Sequence, residues 1–176
     1  MSIENRIATA YKHFFDDDIE NALIQLSIAV DAYAKKKYKI KKVGQRIKTL
    51  LNDNMEVISL VGTMGYLKAP SLTFPDGKLE SILYESVRCS LLHEAEVSER
   101  IEFIKGNQLF VVSDKLGLNE NFVLGLLISI IVDDEDKILN LREIPDITFR
   151  DKQIKIADIH GNRKALFDSM SRARSA

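Results

Sequence analysis

The first part of the chain alternates apolar and polar positions with the period of α-helices. Apolar residues return every three or four positions, as they do on the buried face of an amphipathic helix. This pattern covers residues 1–15, Asn21–Tyr38 and Val43–Ile58. Asp16–Glu20 precedes the second stretch, and Asp17 with Glu20 fits a capping box. We therefore predict a short helix, a long helix and a further amphipathic helix.

A loop and a third long helix follow. Gly62–Gly77 contains Pro70, Pro75 and the turn pair Asp76-Gly77, a composition typical of loops. Helical spacing of apolar residues resumes at Leu79 and continues to about Val97. We predict that this segment forms a helix.

The pattern changes after residue 98. Ile101–Ile104 and Gln108–Val112 flank Lys105-Gly106-Asn107, which predicts a β-hairpin. Ile147–Phe149 and Gln153–Ile156 predict a second one. The apolar run Phe122–Val132 is long enough for a buried helix, and a short helix is predicted over Asn162–Met170.

Together these elements predict a mainly α protein. We expect a helical bundle over residues 1–98 and an α+β extension over residues 99–176. No linker-like composition separates the two parts. The extension is therefore expected to pack on the bundle as part of the same domain, with two short hairpins and helices.

Composition narrows the function classes. The 176 residues carry a net charge of −1, so nucleic-acid binding would depend on a local basic patch. Cys89 is the only cysteine, which excludes an internal disulfide and favours the reducing cytoplasm. The longest apolar run, Phe122–Val132, is shorter than the roughly 20 residues of a membrane-spanning helix, so no membrane contact is expected.

The familiar signatures of cofactor and metal sites are absent from the sequence. It has no P-loop, no Gly-x-Ser-x-Gly and no His-Glu-x-x-His, and its three histidines are far apart. We therefore predict no cofactor and no metal. The remaining candidate for chemistry is the pair Arg88 and His93, late in the predicted third helix.

Arg88 and His93 have complementary chemistry toward RNA. A neutral imidazole can remove the proton of a 2′-hydroxyl, and a guanidinium can hold the scissile phosphate. Five residues along a helix separate the two side chains by about 140°. One copy of the pair is therefore poorly arranged to act alone, and a dimer is implied if the pair is catalytic. The alternative is that both are ordinary helix residues.

The stretch Leu83–Ala95, with Arg88, four residues and then His93, resembles the HEPN superfamily of helical-bundle proteins. The resemblance covers residues 1–98. It implies a metal-independent endoribonuclease of the toxin–antitoxin or phage-defence kind, with Arg88 and His93 as catalytic residues at a homodimer interface. It also implies RNA as substrate and a cognate antitoxin or other protein as partner.

The sequence departs from the HEPN pattern at two positions. Cys89 stands where a polar Asn or Asp often follows the arginine, and Ala95 stands where some toxins carry a modified tyrosine. Ser90, Glu85 and Glu94 are neighbouring polar residues that can orient the pair. Some members of the superfamily are inactive, so a module that binds RNA, a nucleotide or a partner protein is the alternative function.

Two charged stretches of the sequence are further candidate binding sites. Six lysines surround Tyr38 and are candidate RNA phosphate contacts, with a solvated helix end as the alternative. They are Lys35, Lys36, Lys37, Lys39, Lys41 and Lys42. The acidic run Asp133–Asp136 is predicted to be a helix end or a surface turn, with cation binding as the alternative.

Overall fold

The structure is a computed structural model that describes residues 1–92, 101–141, 144–149 and 152–171, without the side chains of residues 86, 88–92 and 152. Helices dominate, so the chain is mainly α with a small β part, as predicted. The helices are α1 (Ile3–Phe15), α2 (Ile19–Lys37), α3 (Val43–Asp53), α4 (Met55–Gly62), α5 (Leu79–Leu92), α6 (Asn121–Asp133), α7 (Ile156–Ile159) and α8 (Arg163–Ser171). The strands are β1 (Thr73–Phe74), β2 (Gly77–Lys78), β3 (Ile101–Ile104), β4 (Phe110–Val112), β5 (Leu116–Asn119), β6 (Ile147–Phe149) and β7 (Lys152–Ile154).

The cap of α2 differs from the predicted one. Asp18 is the N-cap residue, and its Oδ1 accepts a hydrogen bond from the backbone N–H of Asn21 at 3.3 Å. Asp17 has a φ of +67° and belongs to the turn between α1 and α2. The capping box predicted from Asp17 is therefore wrong by one residue, because the turn uses Asp17 in the left-handed conformation that Asp tolerates.

The amphipathic segment after the lysines forms two helices, not one. The break is at Asn54, which is fully buried between α3 and α4. Its side chain donates from Nδ2 to the carbonyl of Leu50 at 3.0 Å and accepts from Arg163 Nη2 at 2.9 Å. These bonds satisfy a buried amide and fix the change of direction.

Helix α6 lies in the core. All its residues from Phe122 to Asp133 are buried, as predicted for this apolar run. It crosses α4 at close range, because a β-carbon at Gly125 would lie 2.9 Å from the carbonyl oxygen of Ile58. It also packs against α1 and α2. One core therefore joins residues from both sides of position 98.

The first predicted hairpin is wrong. β5 lies between β3 and β4, and it pairs in parallel with β3 and antiparallel with β4. The side chain of Asn119 donates from Nδ2 to the carbonyls of Gly106 and Gln108, both at 2.8 Å. These bonds hold the 105–109 loop open, so that the buried strand β5 occupies the place of a direct partner.

The second predicted hairpin is confirmed, since β6 pairs antiparallel with β7. The chain then continues through α7 into α8. The predicted division at residue 98 lies outside the described residues and stays a prediction.

Candidate functional site

The predicted catalytic pair lies mostly outside the described residues. His93 and Glu94 belong to the segment 93–100, and the side chains of Arg88 and Ser90 are also outside the description, although both residues are on α5. Glu85 is exposed on the same helix. The geometry of the pair therefore stays a prediction. The structure does describe the elements that pack against α5.

Helix α5 is fixed in the bundle by its apolar face. Leu79, Leu83 and Val87 are fully buried, and the helix packs against α2 and α3. Tyr84, one turn before Arg88, contacts the start of α3. A β-carbon at Gly44 would lie 2.6 Å from Tyr84 Oη, and Lys48 Nζ lies 5.0 Å from the centre of the Tyr84 ring. The start of α3, which directly follows the lysine-rich connection, thus packs against α5.

The six predicted lysines divide into two groups. All six are exposed. Lys37 Nζ lies 2.5 Å from Asp133 Oδ2 and is an ion-pair partner rather than a free phosphate contact. Within the described ranges, the other five have no carboxylate at ion-pair distance. Three of these lie between α2 and α3: Lys39, Lys41 and Lys42.

The segment that carries these three lysines is anchored. Arg46 is buried, and its Nη2 and Nε donate to Asp31 Oδ1 at 2.6 and 3.0 Å. Its Nη1 donates to the carbonyl of Lys41 at 3.3 Å. A held backbone presents cationic side chains at lower entropic cost than a mobile one. The segment Lys39–Lys42, called the lysine segment below, is an anchored cationic surface that leads directly into α3, the helix that packs against α5.

A charged cleft of about 580 Å³ lies at the other end of the lysine-rich region. At its base Asp133 is buried and accepts hydrogen bonds from three side chains. The donors are Tyr33 Oη at 3.1 Å, Lys37 Nζ at 2.5 Å and Arg163 Nη2 at 3.0 Å. The buried carboxylate is therefore compensated by two cations and a phenol, as a buried charge requires.

The tyrosines around this network have altered acidity. Burial raises the pKa of Tyr33, and the nearby carboxylates of Asp133 and Asp134 raise it further. Burial also raises the pKa of Tyr38, whose Oη donates to Asp53 Oδ2 at 2.6 Å. Both phenols stay protonated and act as donors.

The next residue, Asp134, makes a second buried network. Its carboxylate accepts from the backbone N–H groups of Ile138 and Leu139 at 3.0 and 2.9 Å. His160 Nε2 lies 2.7 Å from its Oδ2. The acidic run was predicted to be a helix end or a surface turn. It does end α6, but its first two carboxylates are buried, because side chains from distant segments and the nearby backbone N–H groups of Ile138 and Leu139 satisfy them.

The sequence pattern did not indicate that Arg163, Tyr33 and His160 are partners of these carboxylates. The consecutive aspartates at the end of an apolar helix were the available signal, since such a helix draws its last residues into the core. Within the described residues, no cluster of side chains is suited to hold a metal ion. In the same ranges, no helix is long and apolar enough to cross a membrane.

Comparison with known proteins gives one family. The chain matches the Rv1289 family over residues 2–176. It belongs to that family. No curated protein and no solved structure shows significant similarity to the chain. The Rv1289 match spans the lysine segment, α5 and both aspartate networks, and it assigns none of them an activity.

Proposed function

We propose that this Rv1289-family protein is an HEPN-like, metal-independent endoribonuclease. The observation that supports the proposal is that the lysine segment leads directly into α3, whose start contacts Tyr84 of α5. A strand whose phosphates contact Lys39, Lys41 and Lys42 would lie next to the helix that carries Arg88. Cations that attract phosphates give an otherwise near-neutral protein a local RNA-binding surface.

The reaction needs only groups of the protein and the RNA. His93 takes the proton of a 2′-hydroxyl, and the 2′-oxygen then attacks the adjacent phosphorus. The bond from phosphorus to the 5′-oxygen breaks, and that oxygen leaves with a proton from an imidazolium. The products are a 2′,3′-cyclic phosphate and a free 5′-hydroxyl. Arg88 stabilises the extra negative charge of the transition state, and Ser90, Glu85 and Glu94 act as positioning residues.

The proposal requires two copies of the chain. Arg88 and His93 are separated by about 140° around a straight helix, so one helix presents them poorly to one phosphate. A homodimer that joins the two motifs supplies arginine and histidine from both copies. In a cell such an enzyme acts as a toxin or phage-defence component, held in check by a cognate partner protein.

The test is RNA cleavage in the presence of a chelator. Fluorescently labelled single-stranded RNA is incubated with the wild type, Arg88→Ala and His93→Ala in excess EDTA, and the product ends are identified by mass spectrometry. His13→Ala removes a histidine from α1 and serves as the matched control, and all variants are checked for folding by circular dichroism. Dimer mass is measured by light scattering.

We expect cyclic-phosphate products from the wild type and the control. His93→Ala should lose at least about 100-fold in rate, the usual contribution of a general acid or base. Arg88→Ala should also lose at least about 100-fold, because it removes a group that stabilises the charge of the transition state. Binding without cleavage by every form would instead identify the inactive RNA-binding module. Equal cleavage by His93→Ala, or loss of activity with EDTA, would overturn the mechanism.

A further inference from the structure

A second cavity, of about 480 Å³, adjoins the Asp134–His160 pair. Five aliphatic residues and four polar residues line it. The lining residues are Lys137, Leu139, Asn140, Leu141, Ile144, Asp146, Ile156, Ala157 and His160. The volume and the mixture of apolar walls with a few polar groups are typical of a small-molecule site.

His160 is held in one orientation at this cavity. The Asp134 carboxylate accepts from the backbone N–H groups of Ile138 and Leu139, so we assign the Nε2 that lies 2.7 Å from its Oδ2 as the donor. Gly161 lets the backbone after His160 approach Asp134 closely. Its φ is +65°, and a β-carbon there would lie 2.7 Å from the Asp134 carbonyl oxygen. Within the described residues no side chain or backbone group bonds Nδ1 of His160. In the neutral ring Nδ1 is an acceptor available to a ligand.

Asp146 supplies further acceptors. Its Oδ1 accepts from the backbone N–H of Ile156 at 3.1 Å, and its backbone carbonyl accepts from Tyr11 Oη at 3.0 Å. These bonds fix the residue at the cavity wall. Its Oδ2 accepts a long hydrogen bond from Gln153 Nε2 at 3.5 Å. A carboxylate has about four lone-pair sites, so Asp146 keeps capacity for a further donor on each oxygen.

The polar lining therefore favours a ligand that offers hydrogen-bond donors. Asp146 and His160 accept, Asn140 both donates and accepts, and Lys137 is an exposed cation at the rim. Among common planar ligands, guanine presents two adjacent donors, N1–H and the 2-amino group, that match one carboxylate. The aliphatic walls suit the faces of its rings, and a ribose hydroxyl matches Nδ1.

We propose that this cavity binds the guanine base of a nucleotide, with Asp146 as the residue that selects guanine. The same base chemistry is offered by a free nucleotide and by an unpaired guanosine of RNA. The proposal does not depend on RNA cleavage, since binding is measured with a mononucleotide that has no internucleotide phosphate to cut.

The experiment compares binding of GMP, IMP, AMP and CMP to the full-length chain by isothermal titration calorimetry. IMP lacks the 2-amino group and AMP lacks both donors. We expect GMP to bind at least tenfold more tightly than IMP, and AMP and CMP to bind more weakly still. A guanosine-containing trinucleotide with a non-cleavable 2′-O-methyl backbone, compared with GMP, distinguishes RNA from the free nucleotide as the source of the base.

Two variants test the location. Asp146→Asn replaces one acceptor by a donor and should abolish the preference for GMP over IMP. Ala157→Phe places a ring in the cavity and should weaken GMP binding at least tenfold, whereas Asp158→Phe adds the same ring outside the lining and should not. Thermal melts of all variants establish that they fold.

Failure has a clear form. Equal binding of the four nucleotides, no binding of any, or unchanged GMP affinity in folded Ala157→Phe would overturn the proposal. The outcome of the RNA cleavage assay does not affect these binding measurements. The two proposals can therefore be tested separately.

Discussion

Arg163 Nη2 lies 3.0 Å from Asp133 Oδ1 and joins the start of α8 to the end of α6. Asp133 is buried, whereas about a third of the Arg163 side chain is exposed. Arg163 also donates to the carbonyl of Asp53 and to Asn54 Oδ1, both at 2.9 Å. One guanidinium thus connects the α3–α4 break, the last turn of α6 and the C-terminal helix.

Loss of this guanidinium should lower the stability of the folded protein. Arg163→Ala leaves the buried Asp133 with one cation fewer. We expect the free energy of unfolding to fall by about 3 kcal/mol, the low end for a broken buried pair, because Arg163 is partly exposed. Lys164→Ala is the matched control, because Lys164 pairs with Asp168 on the exposed side of the same helix. That surface pair contributes less than about 1 kcal/mol. Urea denaturation measures both, and equal losses would contradict the role given to Arg163.

A second pair of variants compares the stability contributions of a buried and an exposed aspartate in the same turn, Asp134 and Asp136. Asp134→Asn keeps the size of the side chain but turns one acceptor into a donor that faces backbone N–H groups. We expect a loss of about 2 kcal/mol, the cost of an unsatisfied buried group. Asp136 is exposed, and Asp136→Asn should change stability by less than about 0.5 kcal/mol. Thermal melts at pH 7 distinguish these outcomes.

Alkaline titration should reveal the buried phenols. The pKa values of Tyr11, Tyr33 and Tyr38 are raised above the ordinary value of 10.0, chiefly by burial. The unfolded chain loses these protons first, so the free energy of unfolding should decrease as the pH rises above about 10.

Absorbance at 295 nm checks this directly. Of the five tyrosines, Tyr11, Tyr33 and Tyr38 should ionise only above pH 10 while the protein stays folded, since their pKa values are raised. Tyr33→Phe should flatten the alkaline loss of stability, whereas Tyr66→Phe, at a residue that is 65% exposed, should not. Simultaneous ionisation of all five in the folded protein would refute the assignment.

Two glycines in helices should respond differently to alanine. At Gly125 a β-carbon would lie 2.9 Å from the carbonyl oxygen and 3.2 Å from Cα of Ile58, so α4 and α6 must separate. We expect Gly125→Ala to cost about 1–2 kcal/mol despite the better helix propensity of alanine. At Gly44 the obstacle is the end of the Tyr84 side chain. Gly44→Ala should be near neutral in chemical denaturation, because that ring can move.

The lysine segment predicts a salt-dependent affinity for RNA. The triple variant Lys39→Ala, Lys41→Ala and Lys42→Ala should bind single-stranded RNA more weakly and lower the slope of log K against log salt by about 2, or 0.7 per phosphate contact. The control triple has the same change in charge at exposed lysines elsewhere: Lys12→Ala, Lys115→Ala and Lys155→Ala. Fluorescence anisotropy at several salt concentrations compares them, and equal slopes would exclude the segment as the RNA contact.

Sequence pattern predicted the helices well, because α1, α2 and α6 each carry a strong local signal. It did not predict the break at Asn54, since the apolar spacing continues across it. The break depends on Arg163, which is 109 residues away. β5 was missed for a similar reason. The place of Leu116–Asn119 between β3 and β4 is set by pairing with both strands, which local pattern does not show.

The candidate sites also combine features that the sequence shows directly with features that depend on tertiary contacts. Lysines and the Arg88–His93 pair are visible as residue types in sequence. The burial of Asp133 and Asp134 is a tertiary property, because the cations and the histidine that compensate them come from α2, α8 and the end of α7. Consecutive aspartates are typical of a surface turn when only neighbouring residues are considered, because their partners are distant in sequence.

The central position of α6 has a consequence for synthesis of the chain. Helices α1, α2 and α4 all precede α6, yet each packs against it. While the ribosome is still translating the first 120 residues, the apolar faces of these three helices lack the element that covers them. Completion of the core therefore waits until residues 121–133 have left the exit tunnel, and nascent chains shorter than this should be clients of chaperones that shield apolar surface.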